Sequence, residues 1–445
     1  MAAAAQDASV YTPSEPARAL KEGKVLRAFR ISGTPPVIDG VLDEEVWRTA
    51  ASTSGYVQRD PDNGAAMTES TRIQVAYDDR FIYVAITCED SAPAEVAAGL
   101  SRRDEIGATD FVSVGFDPRH DHLTAYVFRT NPSAVQADFF VSDDDKLDTD
   151  YSSVWEVQAR VDARGWVAEF RIPFSQMRFA VSPEPGQVWG FQAERGIRRQ
   201  AETGTWIPKP RGQRGEVSLF GHLVFDTPLP PARRVEIMPY TLLRGERDGT
   251  TDAGSTSDFG AAVGADLRLG LGPAATLSAT INPDFGQVEQ DPAVLNLSVF
   301  ETFYPEKRPF FLEDSRTFVP PYGMFQLFHS RRIGRTPGHF AVDSADTAVE
   351  RPDDTTILGA AKVTGKSGSW TYGALTAATG REFATVDRGG GGRDAHLAEP
   401  RSSYSVARVQ RDIWGGSSNV GALVTGVVRQ QSADAFTGGI DYTLR

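Results

Sequence analysis

The feature that most restricts this chain is the two-residue alternation of its second half. Over residues 259–269 one face carries Phe259, Ala261, Val263, Ala265, Leu267 and Leu269, and the other carries Gly260, Ala262, Gly264, Asp266 and Arg268. Ala275, Leu277, Ala279 and Ile281 then alternate with Thr276, Ser278, Thr280 and Asn282. A period of two marks a strand, because successive side chains leave a pleated sheet on opposite sides. Comparable segments lie at 235–244, 357–366, 370–379, 403–411, 420–429 and 437–445. They make roughly eight strands of about 9 to 11 residues, the length that crosses a bilayer at a tilt. No run of about 18 apolar residues occurs, so a helical span is excluded. The mean hydropathy of −0.31 does not exclude a barrel, because lipid-facing and lumen-facing residues average out over any window. A second soluble sandwich is the other fold this alternation allows.

Residues 282–335 interrupt the pattern. Phe285, Phe300, Phe303, Tyr304, Phe310, Phe311, Phe318, Phe325 and Phe328 sit there among charges such as Glu301, Glu306, Lys307, Arg308, Glu313 and Asp314. About fifty residues is too long for an idle connection, so a folded inner loop or plug is expected. Gly389 to Gly392 reads as a Gly-rich connection. About eight strands could close a barrel, but so small a barrel is already filled by its own side chains and leaves no lumen for such a segment. The chain also ends on Tyr442-Thr443-Leu444-Arg445 rather than on the terminal aromatic common in finished barrels. The expectation is therefore an incomplete barrel at 235–445, an open sheet with unpaired edges near Val235 and Ile440.

The first half has shorter strands and more frequent turns, as in an all-β sandwich. Ile73, Val75 and Tyr77 alternate with polar or small residues, Asp78-Asp79-Arg80 turns the chain, and residues 81–86 return as a mostly apolar strand. Further strands are expected at 110–117, 124–130, 154–161, 166–172, 188–195 and 219–225, with Asp162-Ala163-Arg164-Gly165 as a turn. This places a jelly-roll-like antiparallel β-sandwich at 35–226. Pro228-Leu229-Pro230-Pro231 lies in a stiff linker at 227–234. Residues 1–34 read as a flexible lead-in, and MAAAAQ at its start looks like a signal-peptide remnant.

Composition removes some functions. A net charge of −13 argues against a nucleic-acid partner, which needs a basic patch to neutralise phosphates. The single cysteine, Cys88, reads as a buried small hydrophobe, and no Cys/His cluster has zinc spacing. G-x-S-x-G, H-E-x-x-H and phosphate-loop motifs are missing.

Ile38-Asp39-Gly40-Val41-Leu42-Asp43-Glu44-Glu45-Val46-Trp47 resembles the opening of carbohydrate-binding module family 9. Val75-Ala76-Tyr77-Asp78-Asp79, Asp110-Phe111-Val112, Gly165-Trp166, Ile172-Pro173-Phe174 and Trp189-Gly190-Phe191 with Arg195 follow in the family's order. The second half resembles the outer-membrane barrel domain of unknown function 5916. Its phrases are Asn282-Pro283-Asp284-Phe285-Gly286-Gln287-Val288-Glu289, Glu306-Lys307-Arg308-Pro309-Phe310-Phe311 and Ser330-Arg331-Arg332-Ile333-Gly334. The resemblance implies a protein of the bacterial outer membrane, with the sandwich in the periplasm and lipid around the barrel.

It also implies a glycan ligand. Sugar binding asks for aromatic faces and planar polar groups. Trp47, Trp166 and Trp189 sit in the family's structural phrases, which leaves Trp155 and Trp206 as candidates. Arg102, Arg103, Asp110, Asn131, Gln136 and Asp138 are the polar candidates the resemblance suggests. No cofactor is required, although family 9 modules often hold structural calcium. Asp143, Asp145, Asp148 and Asp150, crowded with Asp144 in one acidic loop, are the oxygen ligands available for it. Relatives of this sandwich bind haem, for which His120 and His122, at strand spacing two, and Met177 would be the ligands. The leading expectation is a binder that captures a glycan, with a role in uptake. A glycoside hydrolase or its accessory in carbohydrate catabolism, and a structural barrel accessory without a ligand, stay open. For hydrolysis Asp110, Asp117, Asp138, Glu156 and Glu169 are available, but spacing selects no pair.

Overall fold

The computed structural model describes residues 24–142, 144–149, 151–179, 181–182, 185–229, 235–248, 256–272, 274–283, 306–319, 326–337, 346–350, 352, 354–388, 392–414 and 418–444. The chain divides into two compact units, with the main boundary in the sequence after residue 233.

The first unit contains β1 (Val25–Arg30), helix α1 (Glu45–Thr49), β2 (Ser52–Thr53), β3 (Val57–Asp60), β4 (Thr71–Tyr77), β5 (Phe81–Glu89), β6 (Phe111–Asp117), β7 (Ala125–Thr130), β8 (Gln136–Ser142), β9 (Lys146–Asp148), β10 (Glu156–Asp162), β11 (Gly165–Pro173), β12 (Gln187–Ile197), β13 (Glu202–Thr205) and β14 (Gly221–Phe225). One layer runs β14-β12-β6-β7-β8-β9 and the other β10-β11-β5-β4. The first four residues of β1 pair with β14 and its last two pair with β4, both in parallel, so a single strand passes between the layers. Residues 24–30, expected in a flexible lead-in, therefore belong to the sandwich. Leu26 and Ala28 face its core. Leu229, expected in the linker, is buried there as well.

Alternation explains the packing. Ile73, Val75 and Tyr77 on β4, Ile82, Val84 and Ile86 on β5, and Val112, Val114 and Phe116 on β6 point into one core with Trp166, Trp189 and Phe191. The β4–β5 turn forms because the Asp78 carboxylate accepts the N–H groups of Arg80 (2.7 Å) and Phe81 (2.8 Å). Burial pushes the Cys88 thiol up to about 11, so it packs as an inert hydrophobe.

The second unit contains β15 (Val235–Asp248), β16 (Thr256–Leu271), β17 (Ala275–Ile281), helix α2 (Pro309–Leu312), β18 (Asp346–Glu350), β19 (Ile357–Ser367), β20 (Trp370–Thr379), β21 (Glu382–Arg388), β22 (Gly392–Glu399), β23 (Ser402–Ile413), β24 (Ser418–Arg429) and β25 (Ala435–Thr443). All eight strands expected from the alternation are present, in one antiparallel sheet ordered β15-β16-β17-β19-β20-β23-β24-β25. Among the described residues β15 and β25 do not pair with each other. A small sheet, β18-β21-β22, was not anticipated.

Register separates the two faces. Val235, Leu269, Leu277, Val363, Ala374, Ala407, Val424 and Gly438 form one row across the sheet, all apolar or glycine. The next row, on the opposite face, reads Glu236, Arg268, Ser278, Lys362, Leu375, Val406, Thr425 and Thr437. The described part of the expected inner loop lies against this second face. Phe310, Phe311, Phe318 and Ile333 pack on Ala360, Leu375, Ala377 and Val406. Arg268 pairs with Glu236 (2.8 Å) and with Glu313 of the loop (2.7 Å), while Lys362 Nζ donates to the carbonyls of Phe310 and Glu313. Phe285, Phe300, Phe303, Tyr304 and Phe325 lie outside the described residues.

Candidate functional site

Several residues singled out by sequence come together, but as structure. Asp138, fully buried on β8, accepts hydrogen bonds from Ser153 N (2.6 Å), Trp155 Nε1 (3.3 Å) and the Arg103 guanidinium. Arg103 also donates to Gln136 Oε1 (2.6 Å) and Ser153 O (2.7 Å), and Gln136 donates to Trp155 O (3.0 Å). This network ties the segment before β10 to β8. Asn131 holds its own turn by accepting from Ser133 N and Val135 N (both 3.0 Å) and donating to Gly99 O (2.8 Å). Asp110 accepts from Arg198 N (2.7 Å), and burial raises its pKa against that bond. Arg102 is exposed.

The two candidate tryptophans are a correction. Trp155 is buried, stacked on Phe170 with centroids 5.6 Å apart and edge-on to Phe128. Trp206 is fully buried against Phe191, its Nε1 donating to Thr53 Oγ1 (3.1 Å). Neither offers a face to a sugar. Trp206 looked like a loop residue, yet Gln192 on β12 clasps the following backbone in both directions, accepting from Ile207 N (2.8 Å) and donating to Ile207 O (3.0 Å).

In the acidic loop, Asp143 and Asp150 lie outside the described residues. Asp144 accepts from Glu216 N, Ser218 N and Ser218 Oγ; Asp145 is exposed and Asp148 is buried on β9. The described members therefore assemble no calcium cage. Among the described residues no three His, Cys, Asp or Glu side chains converge as a ready metal centre. His120 and His122 sit in the turn after β6, both at positive φ, rather than along a strand face, and buried Met177 belongs to the sandwich core.

Nor do the carboxylates form a hydrolytic pair. Asp110, Asp117, Asp138 and Glu169 are all buried, and Glu156 pairs with Arg171 at the surface. Glu169 is pushed up to about 7 by burial against the pull of its N–H partners. Those partners are Gly40 N (2.9 Å), Asp39 N (3.3 Å) and Trp47 Nε1 (2.8 Å). Its role is to anchor the first turn and α1 to the outside of β11.

The outer face of the β12-β6-β7-β8 layer, partly covered by Ile106 and Val135 against Phe111 and Phe139, carries the group that sequence reading missed. Glu194, Ser113, Arg129 and Ala137 form one row across these strands. Arg129 Nη2 donates to Glu194 Oε2 (2.8 Å), with Ser113 Oγ 3.3 Å from the same oxygen. The guanidinium lies over Phe111 (4.3 Å to the ring centre) and near Phe139 (5.5 Å), both half-buried. Phe111 can lie flat only because its cross-strand neighbour is Gly196, where a Cβ would sit 2.2 Å from the ring. The result is an aromatic-flanked donor–acceptor pair, suited to a ring with adjacent hydroxyls.

Residues 38–206 match the family described as Carbohydrate family 9 binding domain-like. They are a family 9-like module. Residues 230–445 match Domain of unknown function (DUF5916), so the chain carries the two families in succession. The module is similar to a carbohydrate binding module family 9 from Caldicellulosiruptor kristjanssonii solved with cellotriose, at 17% identity over 46% of this chain and 94% of that one (TM-score 0.34). The same holds for that module with glucose, at 17% identity over 46% and 96% (TM-score 0.34). A protein of Bacteroides uniformis ATCC 8492 is 16% identical over 45% of this chain and 99% of that one (TM-score 0.36). No curated protein matches the chain. The family 9-like module accounts for the Asp39-Gly40 turn, Trp47 and Trp189 as architecture; all are tied into backbone or core.

Proposed function

We propose that the family 9-like module captures a neutral glycan on the Phe111–Arg129–Glu194–Phe139 face and that the second unit anchors it in a bacterial outer membrane, with the module on the periplasmic side. The carrying observation is the Arg129–Glu194 pair set between two half-buried rings on the outer face of the sheet. A vicinal diol can donate to the carboxylate and accept from the guanidinium while its ring covers the aromatic edges. Membership of a carbohydrate-binding family supports this reading.

The membrane part rests on the second sheet. Val263, Val424, Phe436 and Ile440 are all strongly exposed on its apolar face, whereas its opposite face buries Lys362, Arg408 and Thr280. An exposed apolar band opposite a polar face is the pattern of a lipid-facing barrel wall.

Affinity electrophoresis of the full chain in gels cast with soluble glycans tests the binding part. Retardation is expected with at least one neutral polymer and no release of reducing ends. Retardation unchanged in Arg129→Ala and Phe111→Ala would remove this face from the reading, and release of reducing ends would favour the hydrolase.

A further inference from the structure

Half of the protein's imidazoles gather at one place that glycan capture does not use. The sequence has 6 histidines. His120, His122 and His222 meet on the outer side of the sandwich, with ring centres 4.5 Å apart for His120–His122 and 5.3 Å for His120–His222. His222, Gly190 and Asp117 form one row across β14, β12 and β6. Gly190 supplies the floor. A Cβ there would stand 2.8 Å from the Asp117 Cβ, so only glycine leaves the space between Asp117 and His222 open.

The turn that presents the first two imidazoles is firmly built. Fully buried Asp117 accepts from His122 N (2.9 Å) and Asp121 N (3.2 Å), and its carbonyl accepts from His120 N (3.2 Å). Asp121 in turn accepts from Leu123 N (2.9 Å) and Thr124 N (2.8 Å). These bonds hold His120 and His122 at φ of 51° and 58°, a left-handed conformation that L residues rarely adopt.

We propose that His120 and His222 chelate a late first-row transition-metal ion such as Zn2+ or Cu2+, with His122 as the third ligand. His120 Nε2 and His222 Nδ1 stand 3.3 Å apart. Two imidazole nitrogens bound tetrahedrally at about 2.0–2.1 Å are separated by about 3.3 Å, so the pair already has chelate spacing. The three donors do not converge on one point, so the proposed site requires the His122 ring to turn toward the His120–His222 pair. All three residues are half-buried and within reach of solvent. Imidazole selects Zn2+ and Cu2+ over Ca2+ and Mg2+, which prefer oxygen. Glu194 lies four positions along β12 from Gly190, so the metal would lie about 13 Å from the proposed glycan face on the same layer. The two sites are therefore testable separately.

The test is isothermal titration of the untagged full chain with Zn2+ in excess Ca2+, together with electron paramagnetic resonance of the Cu2+-loaded chain. The expected result is one Zn2+ per chain, undisplaced by Ca2+, and a Cu2+ spectrum with imidazole nitrogen couplings. His120→Gln and His222→Gln should each weaken Zn2+ by more than about tenfold while the thermal unfolding temperature of the metal-free chain stays near wild type. His396→Gln, on the small sheet of the second unit, should leave binding unchanged. Absence of Zn2+ binding, displacement by Ca2+, a Cu2+ spectrum without nitrogen coupling, or full binding in the His120→Gln/His222→Gln double variant would each overturn the proposal. The Cu2+ spectrum needs no variant and decides the matter even if the substituted chains fail to fold.

Discussion

Asp138→Asn separates a structural carboxylate from a ligand contact. The wild-type side chain receives Ser153 N on one oxygen and Trp155 Nε1 with Arg103 on the other. Asparagine keeps one acceptor and turns an NH2 toward the remaining donors, so a buried N–H loses its partner at a cost of about 1–3 kcal/mol. Arg103 is more than a third exposed, and solvent screening holds its share to about 1 kcal/mol or less. Together these predict about 3 kcal/mol of destabilisation, hence a fall of roughly 6–12 °C in unfolding temperature for a unit of this size. Tryptophan fluorescence during heating reads the change directly, since Trp155 is one of the partners. Glycan retardation at low temperature should persist. Unfolding within a degree or two of wild type, combined with lost retardation, would refute the structural assignment and return Asp138 to the ligand.

Three further outcomes are expected. Gly196→Ala drives a methyl into the Phe111 ring and should reduce glycan retardation without deleting any polar contact; retention at wild-type strength would show that the ring's placement is irrelevant. Glu169 has a folded pKa of about 7 against 4.5 for the free group, so between those values the folded state holds a proton that the unfolded state lacks. Its contribution to stability is full below pH 4.5 and is lost as pH rises through about 7, by up to about 3 kcal/mol. In urea unfolding over that window the wild type should lose stability relative to Glu169→Gln as pH rises, and parallel profiles would sink the assignment. Val424→Arg on the apolar face should lower recovery of the chain in the membrane fraction, since a cation at mid-bilayer costs about 2–4 kcal/mol in a barrel wall; unchanged recovery would place that face in water.

The large sheet was legible because its two faces meet different surroundings, and every strand from Val235 to Thr443 that separates them kept its period. Strands escaped where that contrast fails. β1 has only Leu26 and Ala28 to mark it, and β8 hides a buried aspartate, Asp138, beside Ala137, so its alternation is broken. The face proposed for glycan capture was illegible for another reason. Phe111, Arg129, Phe139 and Glu194 lie on four strands, and only the cross-strand register makes them neighbours. No local spacing encodes that. The tryptophans misled because an aromatic in a loop phrase looks exposed until a residue far along the chain, here Thr53 for Trp206, takes up its N–H.

The inner loop of the second unit is better understood as a counterion than as a filler. Lys362 and Arg268 stand on the polar face with side chains almost or largely buried, and a buried cation left alone is costly. On the sheet itself Arg268 finds Glu236, but the carbonyls of Phe310 and Glu313 and the Glu313 carboxylate that serve Lys362 all come from the loop. Arg308 within the loop is buried in turn, tied to Glu306 and to the carbonyls of Ile333 and Ser330 and laid over Phe311. Aromatic packing on Leu375 and Val406 therefore occurs only where the charges are already matched. That coupling sets the loop's register on the sheet, which hydrophobic contact alone, being non-directional, would leave free to slide.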